Sequence, residues 1–542
     1  MTFFRFRPFA CAALAGLALA CPPSPESHDG GVDAGFDAGP QPVVDSGIDS
    51  GNDLDAGFDS GLADSGTDAG FDAGPSPHKA GRYWVRLSAL ATVSPSWFAV
   101  KEAAVSDWLW SYKTPERPAG TLDEWLPGLK PGTAYDVRVC SPQACVNAPG
   151  FSTRAPSAMK WVVVDPQNPK RLAFADGGRF VPWGNNYVRV GWTGKNHQFV
   201  EDQMVDDAGM ALIAADLDRH TNVYPPDGKT NVVRMHLQFH TFFGDGGTAL
   251  KPEAFARYAQ VVEMAEDRNL YVMVTGLNYF YPGDNPAWVA QQNEAEHWSA
   301  QALWWNQMAH TLSNSPGVFL YDLMNEPFVP GGAARVTDAG LFKYAPVGPT
   351  EYCPYGENRD AGVNGTCFVQ FITADQAGRD RALIATNWVK RMKQAIRYTS
   401  FFPNDSRHLI TVGASGIKMT DPFQAASVHQ ELDVLSPHLY PESSDMGNAE
   451  IAFVAAQSLQ SGKPVVVGET FSLPYSPERL ISQTCNAGTA AGWIGQQDDR
   501  IWGSPCPAER LPWGCVFWDA WYALQKKLGP TILDGGCPPL IP

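Results

Sequence analysis

The sequence predicts an α/β fold, a (β/α)8 barrel, that follows a small all-β sandwich. From residue 158 onward, eight apolar segments of strand length occur, and amphipathic helical segments separate several of them. Residues 81–156 instead contain short segments in which apolar and polar residues alternate, with Pro-Gly turns between them. Strands that alternate with helices indicate a parallel sheet, and eight of them fit a closed barrel. An open doubly wound sheet is the alternative, but the sequence lacks the glycine motifs for dinucleotides and phosphates that often accompany it.

The composition excludes one class of function. The 542-residue chain has a formal net charge of −17, whereas a protein that binds nucleic acid needs a basic face toward the phosphates. We therefore expect no nucleic-acid partner. The chain also contains 18 tryptophans, which fit either aromatic packing in a large core or stacking against sugar rings.

The N-terminus has the pattern of an export signal. Arg5 and Arg7 carry positive charge, and the apolar segment 9–20 is too short to cross a bilayer. Residues 1–20 are therefore a predicted signal peptide. Signal peptidase I would cut after Ala20, whereas a lipoprotein peptidase would cut before Cys21 and leave that cysteine lipidated. We expect a lipoprotein of the outer cell envelope that meets the membrane through this anchor, with a freely secreted protein as the alternative.

Residues 21–80 are predicted to form an unstructured tether. The unit Asp-(Ala/Ser)-Gly recurs along this segment, as in "DAGFDAGP" and "DSGIDSG". Glycine and aspartate disfavour regular structure, and the acidic side chains repel one another. The aspartates could also present oxygen ligands to calcium, but the regular ligand spacing of a calcium loop is missing. A tether behind a lipidated cysteine would hold a domain away from the membrane.

The cysteines also indicate export. The chain has 10 cysteines, of which Cys11 lies in the predicted signal peptide and Cys21 is the predicted anchor. The others form an even set, which in an exported chain suggests disulfides: Cys140, Cys145, Cys353, Cys367, Cys485, Cys506, Cys515 and Cys537. Proximity in sequence favours the pairs Cys140–Cys145 and Cys353–Cys367. A zinc site is disfavoured because no paired C-x-x-C spacing occurs.

Residues 81–156 are predicted to form a small β-sandwich. In the segment "LPGLKPGTAYDVRVCS", turns precede a strand in which Tyr135, Val137 and Val139 share one face. This segment resembles the end of a fibronectin type III domain, in which a tyrosine corner precedes such a strand. The resemblance implies a spacer or a binding module without catalytic residues.

The predicted barrel occupies residues 158–542. Its eight strands are predicted at 179–187, 230–239, 270–276, 317–325, 408–414, 434–440, 464–470 and 514–521. The clearest helices between them are predicted at 253–268, 296–313 and 385–399. A long segment from Phe328 to Asp380 separates strand four from its helix. Because long loops in compact domains are commonly functional, we expect this one to form a wall of a substrate cleft.

Polar residues are concentrated where the predicted strands end. In a barrel of this kind, catalytic groups lie at the C-terminal ends of the strands. Five strands end on side chains that could take part in catalysis: Arg234, Asn325 with Glu326, His438 with Tyr440, Glu469, and Trp518. Strands four and seven face each other across the mouth of the barrel, which brings Glu326 opposite Glu469. Two opposed carboxylates suggest hydrolysis of a glycosidic bond.

This ordered set resembles the clan A glycoside hydrolases, most closely family five, the cellulase and β-mannanase family. The family has Asn-Glu-Pro after strand four, which matches Asn325, Glu326 and Pro327, and a glutamate after strand seven, which matches Glu469. The resemblance implies that Glu326 is the acid/base and Glu469 the nucleophile. The other family positions match as substrate-binding residues: Arg234 on strand two, His438 and Tyr440 on strand six, and Trp518 on strand eight.

Two further positions bear on the resemblance. Strand one reads "WGNNY", which is similar to a Gly-x-Asn-Tyr pattern of β-mannanases and makes Asn186 a candidate substrate-binding residue. Trp183 precedes it and could line a sugar subsite. The family commonly carries a histidine near the end of strand three, but here that strand reads "YVMVTGLNYF". Asn278 or Tyr279 would occupy that space.

The resemblance therefore implies a retaining glycosidase that hydrolyses a β-linked polysaccharide, with β-mannan or β-1,4-glucan as the favoured substrates. We expect a monomer that needs neither a metal nor an organic cofactor. Two alternatives remain: a catalytically inactive carbohydrate-binding surface protein, and a transglycosylase with the same catalytic residues.

Overall fold

The structure is a computed structural model that describes residues 71–72, 78–109, 111–187, 189–190, 197–198, 200–222, 230–244, 247–278, 287–329, 370–373, 376–398, 405–415, 422–441, 443–470, 476–495 and 512–541. The predicted signal peptide, Cys21 and most of the predicted tether lie outside these residues. The proposed pair Cys353–Cys367 and most of the predicted cleft wall also lie outside them. All the described residues belong to one compact unit, Asp49–Pro542.

The N-terminal region is a sandwich of two antiparallel sheets. Its strands are β1 (Phe71–Asp72), β2 (Lys79–Ala80), β3 (Trp84–Ala91), β4 (Trp97–Glu102), β5 (Tyr112–Lys113), β6 (Gly120–Pro127), β7 (Ala134–Cys140) and β8 (Cys145–Ser152). One sheet contains β1, β3, β2 and β6, and the other has the order β5-β4-β7-β8. The predicted all-β region is thus confirmed. Strands β1 and β2 lie within the segment predicted as an unstructured tether, so the ordered region begins before residue 81.

Strand β7 carries the features on which the sandwich prediction rested. Tyr135, Val137 and Val139 are buried together in the core of the sandwich. The Tyr135 hydroxyl accepts a hydrogen bond from the backbone N–H of Lys130 at 2.9 Å, as a tyrosine corner does. The likeness to a fibronectin type III domain stays a prediction. A disulfide joins Cys140 to Cys145 across β7 and β8, as predicted.

Within the part of the chain that the structure describes, fifteen more strands follow the sandwich: β9 (Val162–Val164), β10 (Leu172–Phe174), β11 (Arg179–Phe180), β12 (Trp183–Tyr187), β13 (Arg189–Val190), β14 (His197–Gln198), β15 (Val232–Gln238), β16 (Tyr271–Asn278), β17 (Val318–Asn325), β18 (Pro327–Phe328), β19 (Gln370–Phe371), β20 (Leu409–Ser415), β21 (Ser436–Leu439), β22 (Val466–Thr470) and β23 (Gly492–Gly495). Eight of them close a barrel in the order β12-β15-β16-β17-β20-β21-β22-β23. Every neighbouring pair in the barrel is parallel. The predicted (β/α)8 architecture is confirmed.

The barrel strands are buried on both faces because helices cover the outside. The helices are α1 (Val200–Gln203), α2 (Asp207–Asn222), α3 (Pro252–Glu266), α4 (Ala287–Gln291), α5 (Glu294–Leu312), α6 (Arg381–Arg397), α7 (Ala426–Glu431), α8 (Ser444–Ser461), α9 (Pro477–Asn486) and α10 (Pro512–Leu533). Local sequence sets several boundaries. Asn293 and Glu296 form a capping box at the start of α5, and Gly462 ends α8 in the left-handed conformation. Among the described residues, no helix is long and apolar enough to span a bilayer.

A three-stranded antiparallel sheet, β9 to β11, closes one end of the barrel. Its residues Val162, Leu172 and Phe180 share a buried cluster with barrel residues such as Val232 and Met273. The ring of Phe180 packs edge-on against Tyr271, the first residue of β16, at a centroid distance of 4.8 Å. The sheet therefore covers the N-terminal ends of the barrel strands and leaves the C-terminal ends for the site.

The prediction of strand eight is wrong. The eighth strand is β23, with the sequence "GWIG", and the segment predicted as that strand, 514–521, lies in the long helix α10. An apolar run of this length does not distinguish a buried strand from a buried helix by periodicity alone. Pro512 favours the first turn of a helix. The prediction of strand one is correct but too long, because Pro182 separates β11 from β12.

Candidate active site

Six of the predicted site residues meet at the C-terminal ends of the barrel strands. The strand register places Glu469 beside His438 and brings Asn325 level with Gly413. Arg234 lies on β15, two strands before β17 in the barrel order, level with Asn186 of β12. The structure therefore brings together Arg234, Asn325, Glu326, His438, Tyr440 and Glu469. Their assignment as catalytic and substrate-binding residues stays a prediction.

Arg234 is fully buried at the centre of this group. Its Nη1 donates to Oε1 of Glu469 at 2.5 Å, and its Nη2 donates to Oδ1 of Asn325 at 2.9 Å. On its other side, Nη2 lies 2.6 Å from Oδ2 of Asp322. Burial by itself lowers the pKa of the guanidinium, but the charges of Asp322 and Glu469 outweigh it and raise that pKa further. Arg234 therefore remains a cation that links the carboxylates of Asp322 and Glu469.

Glu469 is almost fully buried, with 6% of its surface exposed. The Tyr440 hydroxyl donates to its Oε2, and His438 Nδ1 lies 3.5 Å from the same oxygen. Burial by itself raises the pKa of the Glu469 carboxyl. The charges of His438 and Arg234, together with the hydrogen bonds donated to the carboxylate, outweigh burial and hold this pKa below the usual range. Glu469 is therefore an ionised carboxylate in a nearly dry site.

Tyr440 remains a neutral donor. Burial, then the negative charges of Glu469 and Glu326, raise the pKa of its phenol well above the usual value. Its hydroxyl therefore keeps its proton and donates it in the hydrogen bond to Glu469. Tyr440 directly follows β21, so the end of this strand brings the hydroxyl to the Glu469 carboxylate.

Glu326 is the more exposed of the two carboxylates, with 13% of its side-chain surface accessible. Its backbone adopts a positive φ of 45° directly after β17, an uncommon conformation for a residue with a side chain. The backbone N–H donates to the Gly413 carbonyl at 2.7 Å, and Oε1 lies 2.9 Å from His438 Nδ1. The turn of the chain thus directs this carboxyl group across the mouth of the barrel toward Glu469.

The two carboxylates approach each other closely. One oxygen of each, together with a ring nitrogen of His438, lie within 4.8 Å of one another. Such a pair can act as a nucleophile and an acid/base on one glycosidic bond. The same three atoms could also ligate a metal ion by their geometry, although the hydrogen bonds among these side chains already satisfy them.

Asn325 presents one end of its amide to the protein. Its Oδ1 accepts from Arg234, so its Nδ2 is the end that can donate to a sugar hydroxyl. The backbone N–H of Asn325 lies 3.4 Å from Oδ1 of Asn278, which is fully buried at the end of β16. Asn278 thus supports strand four where the family commonly has a histidine. Tyr279 lies outside the described residues.

The other three predicted substrate-binding residues are Asn186, Trp183 and Trp518. Asn186 is buried, accepts from Arg234 at 2.7 Å, and donates to the carbonyls of Gly468 and Gly495. Its amide is therefore used within the protein and holds Arg234 in place. The prediction for Trp183 is wrong. This residue begins β12 at the opposite end of the strand and packs in the core against Trp521, at a centroid distance of 5.7 Å.

The prediction for Trp518 is wrong in its structural basis. The residue was expected at the C-terminal end of strand eight, but it lies within α10, and its side chain is not among those described. The mouth of the barrel near strand eight is instead reached from β23, which ends at Gly495.

Sequence reasoning missed three residues of the site, namely Asp322, His236 and Gly413. Asp322 interrupts the apolar run "FLYDLMN", and a charged residue inside a buried strand is itself a signal of function. His236 follows Arg234 by two positions on β15, the spacing that places side chains on one face of a strand. Its Nε2 lies 3.1 Å from Arg234 Nη1 and 3.9 Å from Glu469 Oε1. Glycine at 413 gives no such signal.

One protein-family model matches most of the barrel. Residues 226–522 match the family model described as Cellulase (glycosyl hydrolase family 5). No curated protein matches the chain significantly. Among solved structures, the chain is similar to the exo-beta-1,4-mannosidase Op5Man5 from Opitutaceae bacterium strain TAV5, at 14% identity and a TM-score of 0.42, over 69% of this chain and 63% of that one.

Two further solved structures are beta-glucuronidases. One is from an uncultured Clostridium sp., at 12% identity and a TM-score of 0.32, over 78% of this chain and 60% of that one. The other is from Ruminococcus gnavus, at 10% identity and a TM-score of 0.34, over 77% of this chain and 59% of that one. The chain thus spans less than two thirds of the length of each of these three proteins.

Proposed function

Because the chain belongs to glycosyl hydrolase family 5, we propose that it is a retaining O-glycosyl hydrolase of a β-linked polysaccharide, with Glu469 as the nucleophile and Glu326 as the acid/base. The family supports glycoside hydrolysis as such. The retaining mechanism and the roles of these two residues rest on the geometry and charge of the site.

The separation of the two carboxylates is the observation that carries the proposal. Retaining enzymes hold their carboxyl groups about 5–5.5 Å apart, whereas inverting enzymes need about 6.5–9.5 Å so that a water molecule fits between them. The nearest oxygens of Glu326 and Glu469 lie within 4.8 Å. This close approach is nearer to the retaining spacing than to the inverting one and favours direct attack by a carboxylate.

The environments of the two groups support different roles. Arg234 and Tyr440 donate to Glu469, and the resulting low pKa keeps it ionised and able to attack. Glu326 receives no arginine among the described residues, and it lies at the more accessible edge of the site. A carboxyl group in that position can exchange its proton with the leaving group and later with water.

The reaction follows in two displacements. In the first, an oxygen of Glu469 bonds to the anomeric carbon while the bond to the leaving oxygen breaks, and that oxygen takes the proton of Glu326. In the second, a water attacks the anomeric carbon of the glycosyl ester, Glu326 takes a proton from the water, and Glu469 leaves as a carboxylate. Asn325 Nδ2 donates to the 2-hydroxyl, a contact that strengthens in the transition state.

The favoured substrates remain β-mannan and β-1,4-glucan, with an endo-acting enzyme as the working proposal. We further propose that the protein is exported and anchored through Cys21, as the N-terminal sequence suggests. In that position it would act on polysaccharide outside the cell.

The test is hydrolysis by the purified protein of a panel of β-mannans and β-glucans, with sugar release and product length measured. Glu469→Gln is expected to abolish release from every substrate. Glu326→Gln is expected to lower kcat about 10²- to 10⁴-fold on polysaccharide, and much less on an aryl glycoside whose leaving group needs no proton.

Glu263→Gln is the matched control for this test. Glu263 is a buried glutamate of α3, hydrogen-bonded to Arg82 and Tyr83 of the sandwich and not to the site. Its amide variant should retain the activity of the parent. The proposal fails if the parent releases no product while Glu469→Gln binds the same glycan equally well, which is the behaviour of a binding protein. Products longer than the substrate would instead identify a transglycosylase.

A further inference from the structure

A buried carboxylate lies behind the arginine of the site. Asp322 belongs to β17, three residues before Asn325, and none of its side-chain surface is exposed. Its Oδ2 accepts from Arg234 Nη2 at 2.6 Å and from Arg234 Nε at 3.0 Å. Asp322 cannot touch substrate, yet its ion pair with Arg234, at 2.6 Å, is almost as short as that of Glu469 with Arg234, at 2.5 Å.

The hydrogen bonds of Asp322 require a carboxylate. Oδ1 accepts from the backbone N–H of Gly413 at 2.7 Å, and Oδ2 also accepts from the Thr275 hydroxyl at 3.0 Å. Both oxygens therefore act only as acceptors. An asparagine at this position has one accepting oxygen, so its NH₂ group would face either the Gly413 N–H or the guanidinium.

The glycine on the next strand makes room for this pair. A Cβ atom at Gly413 would lie 2.8 Å from Arg234 Nη2, closer than such atoms approach, and 3.0 Å from Asp322 Oδ2. Strand β20 thus passes close to the ion pair because it carries no side chain there. Three strands, β15, β17 and β20, combine to fix one orientation of the guanidinium.

We propose that Asp322 is a positioning residue for the nucleophile, which orients Arg234 toward Glu469 and takes a share of its positive charge. The inference deepens the proposed function and rests on it. One guanidinium lies between two carboxylates, 2.6 Å from Asp322 and 2.5 Å from Glu469. The field of Arg234 at the nucleophile is therefore partly cancelled by Asp322.

This arrangement has a consequence with a defined sign. The titratable and charged groups around Glu469 come from three strands and their ends: Arg234 and His236 from β15, Asp322 from β17 with Glu326 directly after it, and His438 from β21 with Tyr440 directly after it. In Asp322→Asn, Arg234 still donates to Asn186, Asn325 and Glu469, so the guanidinium stays beside the nucleophile while the negative charge that offsets it is removed. The pKa of Glu469 then falls, and its carboxylate becomes a weaker nucleophile.

The experiment compares Asp322→Asn with Asp405→Asn in the full-length enzyme. Asp405 is equally buried, accepts from the Tyr321 hydroxyl at 2.9 Å, and lies just before β20, at the end of the barrel away from the site. Both variants should lower the thermal midpoint. Only Asp322→Asn should lower kcat, by about 10²-fold with little change in KM, and move the acidic limb of the kcat/KM profile down by at least about 0.5 pH unit.

The inference is overturned if the acidic limb of Asp322→Asn stays in place or moves to higher pH, or if Asp405→Asn reproduces the same change. The failure of this inference and that of the proposed function are distinguishable. If the parent protein cleaves no β-glycoside, the proposed function has failed. If the parent is active and Asp322→Asn shares its pH profile, only the positioning role has failed.

Discussion

Among single residues, Tyr440 provides the clearest test of how the nucleophile is kept ionised. Its hydroxyl donates to Glu469, and the pKa of that carboxyl is held below its usual range by the charges and donors around it. Tyr440→Phe removes one donor, so the pKa of Glu469 should rise toward the usual value. The acidic limb of the kcat/KM profile should then move to higher pH by about 1 unit.

Tyr321→Phe is the matched control for this change. Tyr321 lies in β17, and its hydroxyl donates to Asp405 at the other end of the barrel. Its variant should keep the position of the acidic limb, whatever its effect on stability. A downward shift or no shift in Tyr440→Phe would contradict the view that the tyrosine stabilises ionised Glu469.

Most of the residues of the site could be predicted because strand ends are visible in the sequence. Glu326 and Glu469 follow apolar runs, and a parallel barrel brings such ends to one mouth. The contacts through which Asn186 and Asp322 hold Arg234 could not be predicted. Asn186 and Asp322 act through contacts with residues far away in the chain, and the sequence gives no distances. The positive φ of Glu326 also depends on the hydrogen bond to Gly413.

In secondary structure, the apolar runs that alternate with clear helices were correctly predicted to be strands. The predicted strands one to seven correspond to barrel strands, because their β-branched residues, turn signals and lengths agree. The prediction of the eighth strand failed because the apolar run "GCVFWDAW", which is longer than β23, is equally typical of a buried helix. The four residues of β23 are too short to give a periodic signal.

The sheet β9 to β11 was missed for a related reason. Its strands have two or three residues each, and their pairing depends on the barrel that they cover. Phe180 packs against both Tyr271 and Phe319, so it closes the barrel only where strands β16 and β17 are already in place. Tertiary contacts, rather than local preference, determine this element.

For the molecule as a whole, the sandwich packs directly on the barrel. Arg82 of the sandwich forms an ion pair with buried Glu266 of α3 at 3.2 Å, and the Tyr83 hydroxyl donates to the same carboxylate at 2.9 Å. Trp84 and Trp125 share a continuous buried cluster with the barrel helices. The sequence indicated a separate module, but it could not indicate that the two share a core.

Arg82→Ala tests this shared interface. The change leaves Glu266 buried without its ionic partner, so it should destabilise the protein by about 3 kcal/mol. The matched control is Arg86→Ala, because Arg86 pairs with Asp123 on the exposed surface of the sandwich, and such pairs contribute at most about 1 kcal/mol. Denaturant unfolding should show one transition for both. Equal losses of stability, or separate transitions for the two parts, would contradict a shared core.

Covalent trapping of the nucleophile is the most direct measurement of the mechanism. A 2-deoxy-2-fluoro β-glycoside with an activated leaving group slows the second displacement, so the glycosyl ester accumulates. Mass spectrometry of peptides from the trapped protein should place one added sugar on Glu469, and none should appear in Glu469→Gln. A label on another residue, or product formed with inverted anomeric configuration and no adduct, would contradict double displacement through Glu469.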